Sequence, residues 1–210
     1  MRDTISSARA HGRYRLHRVY SGSQRRMRVG NRLLPAGWFP CTNRLLDNTI
    51  LNEWGAIFGN LLLRKGTQYG IGGMLIEFEN VASPGDPVDV PAFERSDGIE
   101  YYDNLALSST RDYLRIPLIA GTLETPDEED FPKGNQPVFF AQSSGTTGVH
   151  GKTFSDTVNS VVFGAAMVAF VDRDDSTQDL ILSRHYFDVA EQVAKLATSQ
   201  VGVEWELTLE

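Results

Sequence analysis

Val201, Val203, Trp205, Leu207 and Leu209 alternate with Gly202, Glu204, Glu206 and Thr208 at the end of the chain. A period of two is the mark of a strand, because successive side chains of an extended backbone point to opposite sides. The pattern predicts one buried face, with Trp205 at its centre, and one wet face carrying the glutamates. Such a strand needs partners. Runs of strand composition at 68–81, 113–123, 137–142, 160–171 and 178–187 supply them. Turn-forming stretches separate the runs: Ser83-Pro84-Gly85-Asp86-Pro87, the acidic segment 124–130, and the loops 143–151 and 172–176.

Helical spacing is confined to one place. Leu46, Ile50, Trp54, Ile57, Phe58, Leu61 and Leu62 recur at steps of three and four, with Asn43 placed to cap and Gly66 to stop, so a helix is expected over about 42–65. Residues 188–196 are read as one helix turn or two. Many strands, few helices and long polar loops predict a mainly β chain. The expected form is an antiparallel β-sandwich or barrel with one peripheral N-terminal helix and an extended basic arm.

At 210 residues with 41% hydrophobic content, the chain has enough apolar material for a core. The single cysteine, Cys41, excludes an internal disulfide framework, and no stretch approaches the ~18 apolar residues of a membrane-spanning helix. The N-terminal thirty residues carry arginines throughout and lack the apolar stretch of a secretory signal.

The net charge of −7 conceals a division. Residues 1–34 hold Arg2, Arg9, Arg13, Arg15, Arg18, Arg25, Arg26, Arg28 and Arg32 against the single acid Asp3, a balance of +8. The remaining 11 basic and 26 acidic residues give −15. The expected organisation is therefore a basic extended arm, 1–34, and a single domain, 35–210. These arginines are the candidate assembly residues. An arm of this charge folds back on the acidic body or reaches something anionic: a neighbouring subunit or nucleic acid.

The strings that suggest chemistry fail on spacing. Ser143-Ser144-Gly145-Thr146-Thr147-Gly148-Val149-His150-Gly151-Lys152 resembles the phosphate loop of adenylate-forming ligases, but His150 stands where that loop has proline and the glycine and lysine are exchanged. Gly151-Lys152-Thr153 ends like a Walker A sequence, yet Thr146 occupies the first-glycine position. Tyr69-Gly70-Ile71-Gly72-Gly73 falls short of the dinucleotide fingerprint. Asp172, Asp174, Asp175 and Asp179 miss the calcium-loop order, and the cluster from Glu124 to Asp130 reads as a solvated loop. His11, His17, His150 and His185 have no metal-ligand spacing. No catalytic, metal or cofactor residue is predicted.

The general layout resembles virion structural proteins of tailed bacteriophages. The likeness lies in Asn80 closing the run Gly73-Met74-Leu75-Ile76-Glu77-Phe78-Glu79, in Asp179-Leu180-Ile181-Leu182-Ser183-Arg184-His185-Tyr186-Phe187, and in the final strand. It implies a non-catalytic β-sandwich subunit of a neck, tail, baseplate or capsid surface, without a cofactor. Its partners would be further copies and other virion proteins, with nucleic acid reachable through the arm and no membrane. The implied location is the virion, assembled in the host cytoplasm. The alternatives are a nucleic-acid-binding module using the arm and a nucleotide-binding enzyme using the 143–153 loop.

Overall fold

The computed structural model describes residues 10–30, 32–42, 45–50, 70–83, 86–89, 110–118, 138–143, 146–149, 151–154, 159–170, 179–196 and 198–209. These form β1 Ala10–Val19, β2 Arg28–Val29, β3 Arg32–Leu33, β4 Trp38–Pro40, β5 Leu46–Ile50, β6 Gly70–Asn80, β7 Arg111–Pro117, β8 Val138–Gln142, β9 Ser160–Phe170, β10 Leu180–Tyr186, β11 Val193–Ala194 and β12 Gln200–Leu209. There is no helix among the described residues. The main path runs β7-β6-β9-β10-β5-β1-β12-β8, with β4 beside β1, β11 beside β9, and β2-β3 a separate ribbon. Every ladder is antiparallel. A bridge from Leu118 to Ala141 ties the end of β7 to β8, the two extremes of the path.

All six predicted strand runs are strands. Apolar side chains at alternate positions converge on one core: Tyr14 and Leu16 from β1, Met74, Ile76 and Phe78 from β6, Leu114 and Ile116 from β7, and Val201, Val203, Trp205 and Leu207 from β12. Ala165, Met167 and Ala169 of β9 face the same way. In β10 a register shift between Ile181 and Ser183 resets the alternation, so that Arg184 and Tyr186 point to the reverse face.

Residues 10–34 are joined to the body, the course in which the basic extended arm folds back on it. β1 pairs with β12 over ten positions, from Ala10 opposite Leu209 to Val19 opposite Gln200, and Tyr14 sits opposite Trp205. Tyr14, Leu16, Val19 and Leu34 are buried. The segment is extended, as expected, but it is sheet. Arg13 and Arg15 face Glu206 and Glu204 across the ladder, where opposite charges stabilise a pair.

The expected helix also gives way at its start. Leu46–Ile50 is β5, pairing with β1 through Leu46–Asn48 and with β10 through Thr49 and Ile50. Tertiary pairing overrides the helical spacing there, and 51–65 lies outside the described residues. Residues 188–192 make a single turn, closed by Gln192 N–H to the Asp188 carbonyl at 3.1 Å, leading into β11.

The wet face expected of the final strand is covered as well. Glu204 and Glu206 are buried, because β12 is a central strand whose reverse face is roofed. Val19, Leu34, Trp38 and Phe140 pack together on that face. Trp38 lies so close over Gly202 that a Cβ there would fall 2.7 Å from the indole. A second reverse-face cluster joins Val88, Val161 and Phe163. The Gln192 side chain clasps Val88 as a strand would, donating to its carbonyl at 2.6 Å and accepting from its N–H at 2.9 Å.

Candidate functional site

Charged side chains on the reverse face are matched to one another across strands. His17 Nε2 lies 2.8 Å from Glu204 Oε2 with both side chains fully buried, Arg15 approaches the same carboxylate at 3.8 Å, and Arg13 pairs with Glu206. The His17 ring also tilts against Trp38 at 5.1 Å. Alternation puts Arg13, Arg15 and His17 on one side of β1, and the antiparallel register brings the glutamates opposite.

Three further pairs hold β6, β7 and β10. Arg184 donates to Glu77 through Nε at 3.1 Å and Nη2 at 2.5 Å, both residues buried. Arg115 forms the same two-pronged contact with Asp179, at 2.7 and 2.8 Å. Arg111 Nε donates to Glu79 at 2.7 Å and lies over the Phe163 ring at 4.9 Å. Two-pronged guanidinium–carboxylate contacts fix geometry as well as charge. Asp179 thus braces Arg115; Asp172, Asp174, Asp175 and residues 124–130 lie outside the described residues.

At the core end of β10, Tyr14 O–H donates to Glu191 at 3.4 Å, and His185 Nε2 lies 3.5 Å from the same carboxylate. The Tyr14 and His185 rings stack at 4.5 Å, and Phe187 packs on both. Burial raises the Tyr14 hydroxyl's pKa far above its ordinary value, and the Glu191 charge adds to this. Tyr14 therefore keeps its proton and acts as the donor to Glu191. Burial lowers His185 below its ordinary value, opposed by Glu191 and Asp188. Cys41 is raised by burial, against the opposing charge of Arg18, so its thiol is held in the neutral form.

The phosphate-loop-like string has become a small hairpin. Thr147 bridges Thr153, Gly148 N–H donates to the Lys152 carbonyl at 2.8 Å, and Phe154 inserts against Phe78 at a ring distance of 4.9 Å. Val149 N–H donates to the Tyr113 carbonyl at 3.0 Å, pinning the hairpin to β7. The amide of Lys152 does point at an anion, but the anion is the chain's own: it donates to Asp112 Oδ2 at 2.9 Å, and Tyr113 N–H donates to Oδ1 at 2.7 Å. Gly148 lies against the same carboxylate, where a Cβ would collide with it. Gly70 to Gly73, the other glycine-rich string, is simply the start of β6.

The candidate assembly arginines divide into groups. Arg13, Arg15 and Arg18 lie in β1, the first two spent on glutamates. Arg25, Arg26 and Arg28 are exposed on the segment leading into and through the β2-β3 ribbon, with Arg25 lying 5.8 Å from the Phe39 ring centre. Arg32 belongs to β3. Arg2 and Arg9 lie outside the described residues. The ribbon is fastened by Leu34 N–H to Met27 O and Gly37 N–H to Arg25 O, both 2.9 Å, while Met27 and Val29 pack on the Trp38 cluster.

Sequence reasoning missed the ion pairs across strands because their partners stand 32 to 193 residues apart. One signal was present: Glu77 is set between Met74-Leu75-Ile76 and Phe78, and a charge among apolar residues asks for a partner. Comparison with protein-family models, with curated proteins and with solved structures finds no match.

Proposed function

We propose that the chain is a non-catalytic structural subunit of a multi-copy particle, of the tailed-phage virion kind that the sequence resemblance implies. In this reading the antiparallel sheet is a flattened barrel, two facing sheets joined at one corner by β5 and at the other by the Leu118–Ala141 bridge. Such a body presents broad, stiff surfaces, and closed symmetry multiplies each contact between copies.

The observation that carries the reading is the way the ionisable groups close on one another. Glu204 with His17 and Arg15, Glu77 with Arg184, and Asp179 with Arg115 each join strands distant in sequence. Catalytic groups are poised toward a substrate in a cleft; these are packed against partners, where they set register and resist shear. Asp112 likewise occupies the anion position of the one loop that resembles a phosphate cradle.

Sedimentation of the full chain at micromolar concentration tests the proposal. A defined multimer is expected, with a melting temperature unmoved by ATP. A folded monomer, or stabilisation by ATP of the kind mass action requires of a ligand, would overturn it.

A further inference from the structure

We infer that the β2-β3 ribbon is the docking element between copies, seating Arg26, Arg28 and Leu33 on the acidic turn around Asp89, Asp188 and Val189 of the next copy. The inference rests on the assembly reading above and goes beyond it by naming both surfaces.

Period-two geometry sorts the ribbon. Met27 and Val29 turn toward the Trp38 cluster, so Arg26 and Arg28 turn to solvent together, about 6–7 Å apart along the strand. Neither arginine has a carboxylate partner among the described residues, in contrast to Arg13, Arg15, Arg111, Arg115 and Arg184. Leu33, opposite Arg28 in the ladder, is 38% exposed. No acidic residue occurs between Asp3 and Asp47, so nothing near in sequence neutralises the ribbon. Exposed arginines bordering an apolar side chain on a backbone-fastened ribbon have the anatomy of a protein interface: an apolar centre with a charged rim.

Ribbon cannot meet ribbon, because like charges would face each other. The receiving surface is therefore a different one, and the body's balance of −15 makes it acidic. The Val88–Gln192 clasp brings together two segments that each expose an aspartate, Asp89 on one and Asp188 on the other. Val189 beside them is 59% exposed, the most exposed large hydrophobic among the described residues. This turn mirrors the ribbon, with acid around an apolar side chain in place of base.

Sedimentation velocity on the full chain is the test, using Arg26→Glu/Arg28→Glu, Asp89→Lys/Asp188→Lys, and their mixture. The wild-type multimer is expected to dissociate between about 0.1 and 1 M salt, since exposed pairs are screened over that range. Each double variant should be a monomer with the circular-dichroism spectrum of the wild type, Arg26→Lys/Arg28→Lys should still assemble, and mixing the two charge-reversed variants should restore multimers. A multimer that survives Arg26→Glu/Arg28→Glu leaves assembly standing and overturns the docking site. A wild-type monomer overturns both readings. A wild-type monomer that binds a generic DNA duplex with steep salt dependence, lost in Arg26→Glu/Arg28→Glu, replaces the second copy with nucleic acid.

Discussion

Arg184 on β10 reaches Glu77 on β6 across the intervening strand β9, and the two meet over Gly164. Glu77 and Tyr186 both stand opposite this glycine in their ladders, and a Cβ on it would fall 2.8 Å from Glu77 Oε2 and 3.0 Å from the Tyr186 ring. The missing side chain is the passage through which the ion pair forms. Arg184 then lies over Tyr186 at 4.3 Å, so its flat face is covered as well as its edge.

Removing one partner should therefore be worse than removing both. Glu77→Gln leaves a buried guanidinium without its countercharge, for which a loss of about 3–5 kcal/mol is expected in urea denaturation. Glu77→Leu combined with Arg184→Met should lose far less than the two single changes added together. Gly164→Ala should destabilise the wild type more than it does a Glu77→Ala background, because the carboxylate is the nearer obstruction and the Tyr186 ring remains. Additive effects throughout would mean that the pair does not couple the strands.

Glu204→Ala is expected to be costly, although an alternating terminal strand suggests a solvated glutamate. Its carboxylate receives His17 at 2.8 Å and has Arg15 at 3.8 Å in a buried setting. A loss of several kcal/mol should follow, against a change within about 0.5 kcal/mol for Gln24→Ala, an exposed side chain with no assigned role. Thermal denaturation of the two variants side by side decides it.

His185 should make the fold acid-sensitive. Its pKa is lowered from 6.5 by burial, with Glu191 and Asp188 opposing. The unfolded chain thus binds the proton more readily than the folded one, so this residue's contribution is present above about pH 6.5 and is lost as the pH falls from there toward the lower folded value. The neighbours that face it are Tyr14, Phe187, Glu191, Asp188 and the Asp47 backbone. His185→Gln should flatten the melting temperature's dependence on pH in that window; equal slopes would show that other groups carry it.

Asp112→Ala should release the 146–154 hairpin, since the carboxylate accepts from the amides of both Lys152 and Tyr113. Faster amide hydrogen exchange at Gly148 and Val149 is the expected reading, because these amides pair within the hairpin and to β7. Lys152→Ala should change little, as the bond uses the backbone. If the variants behave in the opposite order, the lysine side chain has a role that the geometry does not provide.

The strands 160–170 and 180–186 were legible because their apolar runs are long and bounded by turn residues. β1 was not, since Arg13, Arg15 and His17 become strand-like only opposite Glu206 and Glu204, almost two hundred residues away. β5 shows the complementary failure. Leu46 and Ile50 are four apart, a helical step, yet each pairs with a different neighbour, β1 and β10, and that competition is decided by tertiary contacts. The exposed arginines of the ribbon could be counted in sequence but not separated from those spent on glutamates, because only the fold decides which acid lies opposite.

Trp205 stands opposite Tyr14 in the ladder, fully buried, with the two rings 6.1 Å apart. Its Nε1–H has no hydrogen-bond partner among the described residues. Two opposing terms follow. The ring fills space shared by β1, β10 and β12, and truncation to alanine opens a cavity worth about 3–5 kcal/mol. The unmatched N–H works the other way, since a buried donor without an acceptor costs about 1–3 kcal/mol that a phenyl ring does not incur. Trp205→Ala should therefore unfold at much lower urea than wild type, whereas Trp205→Phe, which keeps most of the packing and deletes the orphan donor, should lose less than about 2 kcal/mol. The ratio of the two changes is the informative quantity. A phenylalanine variant as damaged as the alanine variant would show that the indole N–H has a partner, such as a buried water, and that Trp205 holds the core by a hydrogen bond as well as by its volume.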